Sequence, residues 1–421
     1  MMRLIPFSMV AALVPCFACA AETPSMPGGP DTPEFKKTTD LIRQLGDARF
    51  QVRESAARQI VDLGRAAKPA LQAAAATADA EVADRCRRLL VQALTADFKA
   101  RAEAFVADKD GTQEHDLPGW GRFQKEVGAD KDSRTLFADM LKTNQALFLT
   151  LEHEPKAFPE RYAARCGEMT QQFLYNRNAP SAAQPTAGDL ATIFLFGQDP
   201  ETARAISGNN NVVNLLYMPA FQSTLRSGAS ATAFRKLFVG WMEQRTDMTS
   251  ISQCLSIVQQ QNIKEGLRFA ASVVRNRETP VFLRAQALTV IGKMGDQDHI
   301  ALLEGAFTPA YLMGGAVLAG VKSGRGALAA PLDDDTLVTN INLNGKMATV
   351  QLRDVALAMA IHLSGQKPQN FGYEFVREQP SGALSYHFYG FAADDDTKTA
   401  NAKRAEARKK WEDSRTAPAK K

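Results

Sequence analysis

The sequence predicts an all-α chain of stacked short helices with one small β-hairpin insertion near its C-terminal end. Three observations predict it. Apolar residues recur at spacings of three and four along much of the chain, as on one face of a helix. Helix formers are plentiful, while alternating runs rich in Val, Ile and Thr are few. Two strand-prone runs, Leu337–Leu343 and Met347–Leu352, flank Asn344-Gly345, the strongest short-range hairpin signal. Composition agrees: 45% apolar and 23% charged residues suit a globular chain rather than a disordered one. The 421 residues, with 50 Lys and Arg against 46 Asp and Glu, carry a net charge of +4. That excess is too small to argue for nucleic acid, which calls for a clustered basic face.

Residues 1–20 read as a secretory signal peptide. Arg3 is the only charge before Glu22, the apolar run Leu4–Ala21 follows it, and Ala18-Cys19-Ala20 supplies a small-residue cleavage site. The competing reading is an uncleaved anchor, against which stand Pro6, Pro15 and the small residues at the end of the run. Cys19 lacks the aliphatic residue three positions earlier that a lipid-attachment site carries, since Cys16 stands there. No other stretch is long and apolar enough to span a bilayer. Residues 21–33 are rich in Pro and Gly and read as an extended linker.

Residues 34–96 hold a repeating pattern. Leu41, Ile42 and Leu45 form a short apolar face, and Gly46-Asp47 breaks the helix. Val52, Ala56, Ile60 and Leu63 follow at spacings of four, four and three, and Gly64 supplies the stop. Pro69 opens the next helix, where its missing N–H costs little. Val82, Cys86 and Leu90 then repeat the stripe, giving two short antiparallel helices per unit. The same frame recurs as Leu283-Arg284, Ala287, Ile291 and Met294-Gly295, and again as Leu352-Arg353, Ala356, Ala360 and Leu363.

On these residues the chain resembles the HEAT-repeat family of armadillo-type proteins. The resemblance is closest over Asp40–Leu94, and looser over Glu265–Glu304 and Leu352–Gly365. It implies helical pairs stacked into an α-solenoid, with the small Ala at mid-stripe letting helices approach closely. In the family an Arg opening the second helix pairs with an Asp from the preceding turn, and Asp47 with Arg53 fits that role. The second unit departs, with Ala83 in place of the Arg and Arg85 two positions on. Arg284 is preceded by Glu278 rather than by a suitably placed Asp.

Residues 97–264 read as helical without a clean repeat. Arg134–His153 is expected as a helix with Leu136, Met140, Leu147 and Leu151 on one face, and Pro159–Tyr175 as another. Ala179–Thr186 reads as a loop, Asp189 as the cap of a helix Leu190–Phe196, Asn209–Asn211 as a turn, and Ala231–Gln244 as an amphipathic helix. Residues 265–414 return to repeat-like helices, interrupted by the hairpin 337–352 and closed by a helix Thr397–Ser414; residues 415–421 are a polar tail. The hairpin must pack on something, since two strands alone are marginal in water. One face is expected to cover the last repeats and the outer edge to stay free, where an extended partner strand could add. Cover rather than recognition is the expected role, with the aromatic patch Ser385–Phe391 as the candidate third strand.

Candidate chemistry is sparse. Consecutive helical residues point about 100° apart, so Glu152-His153-Glu154 reads as a solvated helix end before Pro155 rather than a metal cluster. His115, His299 and His387 have no Cys or carboxylate at ligand spacing, and His362 lies beside an apolar stripe. Asp333–Asp335 reads as an exposed turn and Asp394–Asp396 as the cap of the last helix. Cys86, Cys166 and Cys254 read as small buried hydrophobes, with one disulfide among them left open. Ser323-Gly324-Arg325-Gly326 lacks the Lys of a phosphate loop. Lys398, Lys403, Arg404, Arg408, Lys409 and Lys410 read as a solvated cationic face, and Trp120 as a lock of its loop onto neighbouring helices. No catalytic, cofactor-binding or metal-ligating residue is assigned and no cofactor is expected.

The expectation is an exported, periplasmic or extracellular, non-enzymatic module that binds or scaffolds proteins, with no nucleic acid and no membrane span after signal cleavage. The alternative is an envelope enzyme or enzyme accessory with a site in residues 97–264. Some HEAT-like proteins are lyases on bound chromophores, but no residue pattern here points to a chromophore site.

Overall fold

The computed structural model describes residues 32–77, 79–175, 184–206, 210–303, 334–343, 345–377, 382–392 and 397–416. The signal segment, Ala179–Ala183, Ser323–Gly326, Asp394–Asp396 and the last five residues lie outside them. The described chain is helical with a small, open, three-stranded antiparallel sheet near its C-terminal end. It forms two compact units, divided after Ala100.

In the first unit, α1 (Pro33–Gln44) starts at Thr32, whose hydroxyl accepts the Phe35 N–H at 3.3 Å, with Pro33 in the first turn. α2 (Phe50–Asp62) buries Ala56 and Ile60 completely, and α3 (Lys68–Thr77) adds Ala70 and Leu71 to the same core. Gly64 holds φ +59° between them, and a Cβ there would stand 2.8 Å from Asp97 Oδ1, so the stop requires glycine. α4 (Ala80–Ala107) is one helix of 28 residues where a short one is expected. Its buried line is Ala83, Cys86, Leu89 and Ala93, at spacings of three, three and four. Val82 and Leu90 are only partly buried at the margin of that core, because a strict spacing of four drifts around the helix.

The turn between α1 and α2 corrects one expectation. The Asp47 carboxylate pairs with Arg49, accepting its backbone N–H at 2.8 Å and its Nε at 3.2 Å. Arg53 donates instead to the backbone carbonyls of Asp47 and Ala48, at 2.8 and 2.9 Å. Arg49 takes the carboxylate because it lies two residues from it, within reach of a tight turn.

The second unit is built around two aromatic clusters. α5 (Trp120–Glu126), α6 (Lys131–Thr143) and α7 (Gln145–His153) supply Trp120, Phe123, Phe137 and Phe148, whose neighbouring rings lie 4.9–5.8 Å apart. Trp120 does lock its loop onto these helices. α8 (Phe158–Tyr175), α9 (Ala187–Phe196), α10 (Pro200–Ala205), a 3-10 turn Asn210–Tyr217, α11 (Pro219–Arg226) and α12 (Ala231–Met242) follow. Phe194 of α9 is the hub of the second cluster, touching Phe221, Phe234, Phe238 and Trp241. α13 (Met248–Gln261), α14 (Leu267–Arg275), α15 (Val281–Met294) and α16 (Gln297–Leu303) lead to the sheet, and α15 packs on α13, α14 and α17 (Leu352–Leu363).

Three further helical expectations change. The helix Arg134–His153 is broken at Asn144, which leaves helical geometry at φ −127° and ψ 34°. Its side chain donates to Thr192 Oγ1 on α9 at 3.1 Å and accepts from Arg165 Nε on α8 at 3.0 Å, tertiary bonds that outweigh helix continuity. Thr186, not Asp189, caps α9; Asp189 is the reciprocal partner in the capping box and also holds Arg165 at 2.7 Å. Asn210 and Asn211 begin a 3-10 helix rather than a simple turn.

The hairpin forms as expected. β1 (Leu337–Leu343) pairs antiparallel with β2 (Lys346–Gln351), and Gly345 turns at φ +80°. β2 pairs on its other side with β3 (Phe391–Ala392), giving the order β1-β2-β3. Only the last residue of the patch Ser385–Phe391 joins the sheet, since Tyr386–Phe388 is a 3-10 turn. α18 (Thr397–Thr416) then packs against β3.

Candidate functional site

The ionisable clusters of the second unit are satisfied from within. Asp108, at the end of α4, accepts from His115 Nε2 at 2.9 Å, from the backbone N–H groups of Thr112 and Gln113, and from Arg134 Nη2 at 3.2 Å. The Arg134 guanidinium lies 4.2 Å from the Phe105 ring centroid. The His115 hydrogen bond above all holds the Asp108 carboxyl down at about 2. His115 is therefore seven residues from a carboxylate partner that spacing alone does not reveal. His299 likewise meets Asp296, at 2.7 Å, where it fastens the start of α16. His362 is exposed.

Glu152 is not a solvated helix end. Arg101 Nη2 donates to both its carboxylate oxygens, at 2.9 and 2.8 Å, and Arg101 Nη1 donates to the Asp116 carbonyl. Among the described residues no group of three or more His, Cys, Asp or Glu is placed to hold a metal ion. Cys86, Cys166 and Cys254 are free and buried. Burial raises all three thiols, Cys166 to about 12, so none is poised as a thiolate nucleophile.

Arg404 departs from the solvated cationic face. It is buried and donates through Nε and Nη2 to Asp354 at 2.9–3.0 Å, while Nη2 also reaches Thr349 O at 2.9 Å and Oγ1 at 2.7 Å. Asp354 also accepts the Gln351 N–H at 2.8 Å, so one carboxylate joins the start of α17 to β2 and α18. Lys403, Arg408 and Lys410 do stand on the outer side, each beside a Glu.

Asp334 departs from an exposed turn. Its carboxylate meets buried Arg284 Nη1 at 2.9 Å and its carbonyl accepts the Arg353 N–H at 2.8 Å. Burial works against the ionised form, but the Thr336 hydrogen bonds and Arg284 outweigh it and hold the carboxyl below its ordinary value. Arg284 thus finds its acid in the chain entering β1, fifty residues onward, and that pair fixes where the hairpin begins.

The element left open is β1. Among the described residues no strand pairs with its outer edge. Asn340 and Asn342 are exposed, Leu337 is 48% exposed, and Met347 beside the turn is 51% exposed. Ile341 faces inward on Ala348, Phe375 and Ala392. β2, by contrast, buries Ala348 and Val350 completely. Among the described residues the sheet therefore has a covered centre and an anchored edge strand with no strand beside its outward backbone groups. Within the described residues no helix is long and apolar enough to cross a membrane.

Compared with protein-family models, with curated proteins and with solved structures, the chain matches none.

Proposed function

We propose that this chain is an exported HEAT-like helical-repeat protein that binds or scaffolds other proteins, and that an extended segment of a partner adds to the outer edge of β1. The observation that carries this reading is the bare edge itself. Among the described residues this strand, without charge or proline and irregular only at Val338, has no strand on its outer side, and natural sheets ordinarily blunt or cover such an edge. The Arg284–Asp334 pair holds that edge in place, so a partner strand meets a preorganised template. The repeat reading is supported by the shared frame: Ala56, Ala287 and Ala356 are all fully buried at its middle position. The export reading rests on the sequence from Arg3 to Ala20.

Tagged protein exposed to the native envelope fraction tests the binding reading. Wild type should retain a defined protein that Asn340→Lys does not, with the thermal midpoint unchanged. Equal retention by both would reject the edge as the site. Intact-mass measurement of the native protein tests export, which predicts loss of about the first 20 residues; a chain beginning at Met1 or Met2 would reject it.

A further inference from the structure

We infer that the partner strand at the edge of β1 is the same strand of a second copy, added antiparallel about a two-fold axis; this rests on the reading of β1 as a binding edge. The sequence of β1, Leu-Val-Thr-Asn-Ile-Asn-Leu, is close to self-complementary when it runs against itself. Centring the axis on Asn340 sets Asn340 opposite Asn340 and Thr339 opposite Ile341 in the regular part of the strand, while Asn342 falls opposite Val338, where the register of β1 shifts. Residues opposite one another lie on the same face of a sheet, so the more buried face of each hairpin continues into that of its copy.

Charge favours this occupant. No like charges face each other anywhere along the ladder, because β1 has none. At the ends the signs are complementary. Antiparallel pairing brings exposed Asp335 of one copy beside the turn of the other, where Lys346 is exposed and held only loosely, 3.8 Å from Glu374. The result is one six-stranded sheet in order β3-β2-β1-β1-β2-β3, whose ends are β3 strands of only two residues each. The isologous contact closes on itself and leaves no long edge to propagate. An edge this short buries less than the roughly 1,200–2,000 Å² of a stable interface, so the dimer should form in the micromolar range, with a Kd on the order of 1–100 µM.

Sedimentation equilibrium on the full chain across that range should show the mass moving from one copy to two. Asn340→Lys places two ammonium groups opposite each other on the axis, and it should remain a single copy throughout. Asn340→Cys gives the positive test. The three cysteines among the described residues are buried, and opposed residues of an antiparallel pair have Cα atoms about 4.5–5.5 Å apart, within disulfide reach. Mild oxidation should yield a covalent dimer that reducing agent dissolves. Wild type that stays a single copy, or Asn340→Cys that fails to cross-link, overturns the inference. If Asn340→Lys nonetheless loses a protein retained from the envelope, the edge binds a different chain and only the second copy is rejected. If it loses nothing, the binding reading falls as well.

Discussion

The Asp108 carboxylate is held at once by Thr112, Gln113, His115 and Arg134, and its chemistry gives a pH dependence with a definite sign. The His115 hydrogen bond, aided by the Thr112 and Gln113 N–H groups and Arg134, lowers its folded value to about 2 from an ordinary 3.8. A depressed carboxyl contributes stability that is complete above the unfolded value and is lost as pH falls through the folded one. Thermal midpoints should therefore fall between pH 4 and pH 2, and Asp108→Asn should flatten that part of the profile. An unchanged slope in the variant would mean that other carboxylates carry the acid limb. Asp354 behaves differently because its partner is a single buried cation. Removing that cation with Arg404→Met leaves a carboxylate enclosed without compensation, which costs about 3–5 kcal/mol at neutral pH. The cost should shrink as the solution is acidified and Asp354 takes up a proton, a trend that denaturant titrations at several pH values would read. A loss independent of pH would point to lost packing rather than lost charge.

At the scale of elements, Ala56 on α2 has no exposed surface and sits in a core with Leu41, Ile60 and Leu71. Ala56→Leu should overpack that core and cost about 1–3 kcal/mol; an unshifted denaturation midpoint would remove the close helix approach that the stripe implies. Elements of this kind are legible because their signals are local. The stripe with its glycine stop, the hairpin around Asn344-Gly345 and the lock made by Trp120 each reside in a few consecutive residues. The departures share the opposite property. Asn144 breaks its helix for partners on α8 and α9, Glu152 turns to Arg101, and Arg284 and Arg404 find their carboxylates fifty residues away. Sequence marks such residues only as polar or charged side chains along predicted helices, which solvent and a distant partner satisfy equally well. The capping box of α9 was within reach, since Thr186 and Asp189 stand at the required spacing of three. That β1 is an outer strand among the described residues follows from the hairpin signal, but its anchoring by Asp334 was not legible.

For the molecule as a whole, the hairpin divides two tasks between its strands. β2 lies between β1 and β3, buries Ala348 and Val350, and offers Thr349 to Arg404, so it belongs to the folded core. β1 contributes Ile341 to that core but turns Asn340 and Asn342 to solvent. Stability and association should accordingly separate by strand. Val350→Ala removes two buried methyl groups and should lower stability by about 1–2 kcal/mol through lost transfer energy and a residual cavity. It should leave self-association nearly intact at temperatures where the protein stays folded, because the backbone of β1 is unchanged. Asn340→Lys should do the reverse, shifting stability by no more than about 0.5 kcal/mol, as exposed substitutions do, while abolishing association. Denaturant midpoints and sedimentation measured on the same two variants give a crossed pattern if the strands divide the roles. Should both variants lose stability equally, β1 would be a structural cover whose edge is exposed only incidentally, and the site would have to be sought elsewhere on the helical surface.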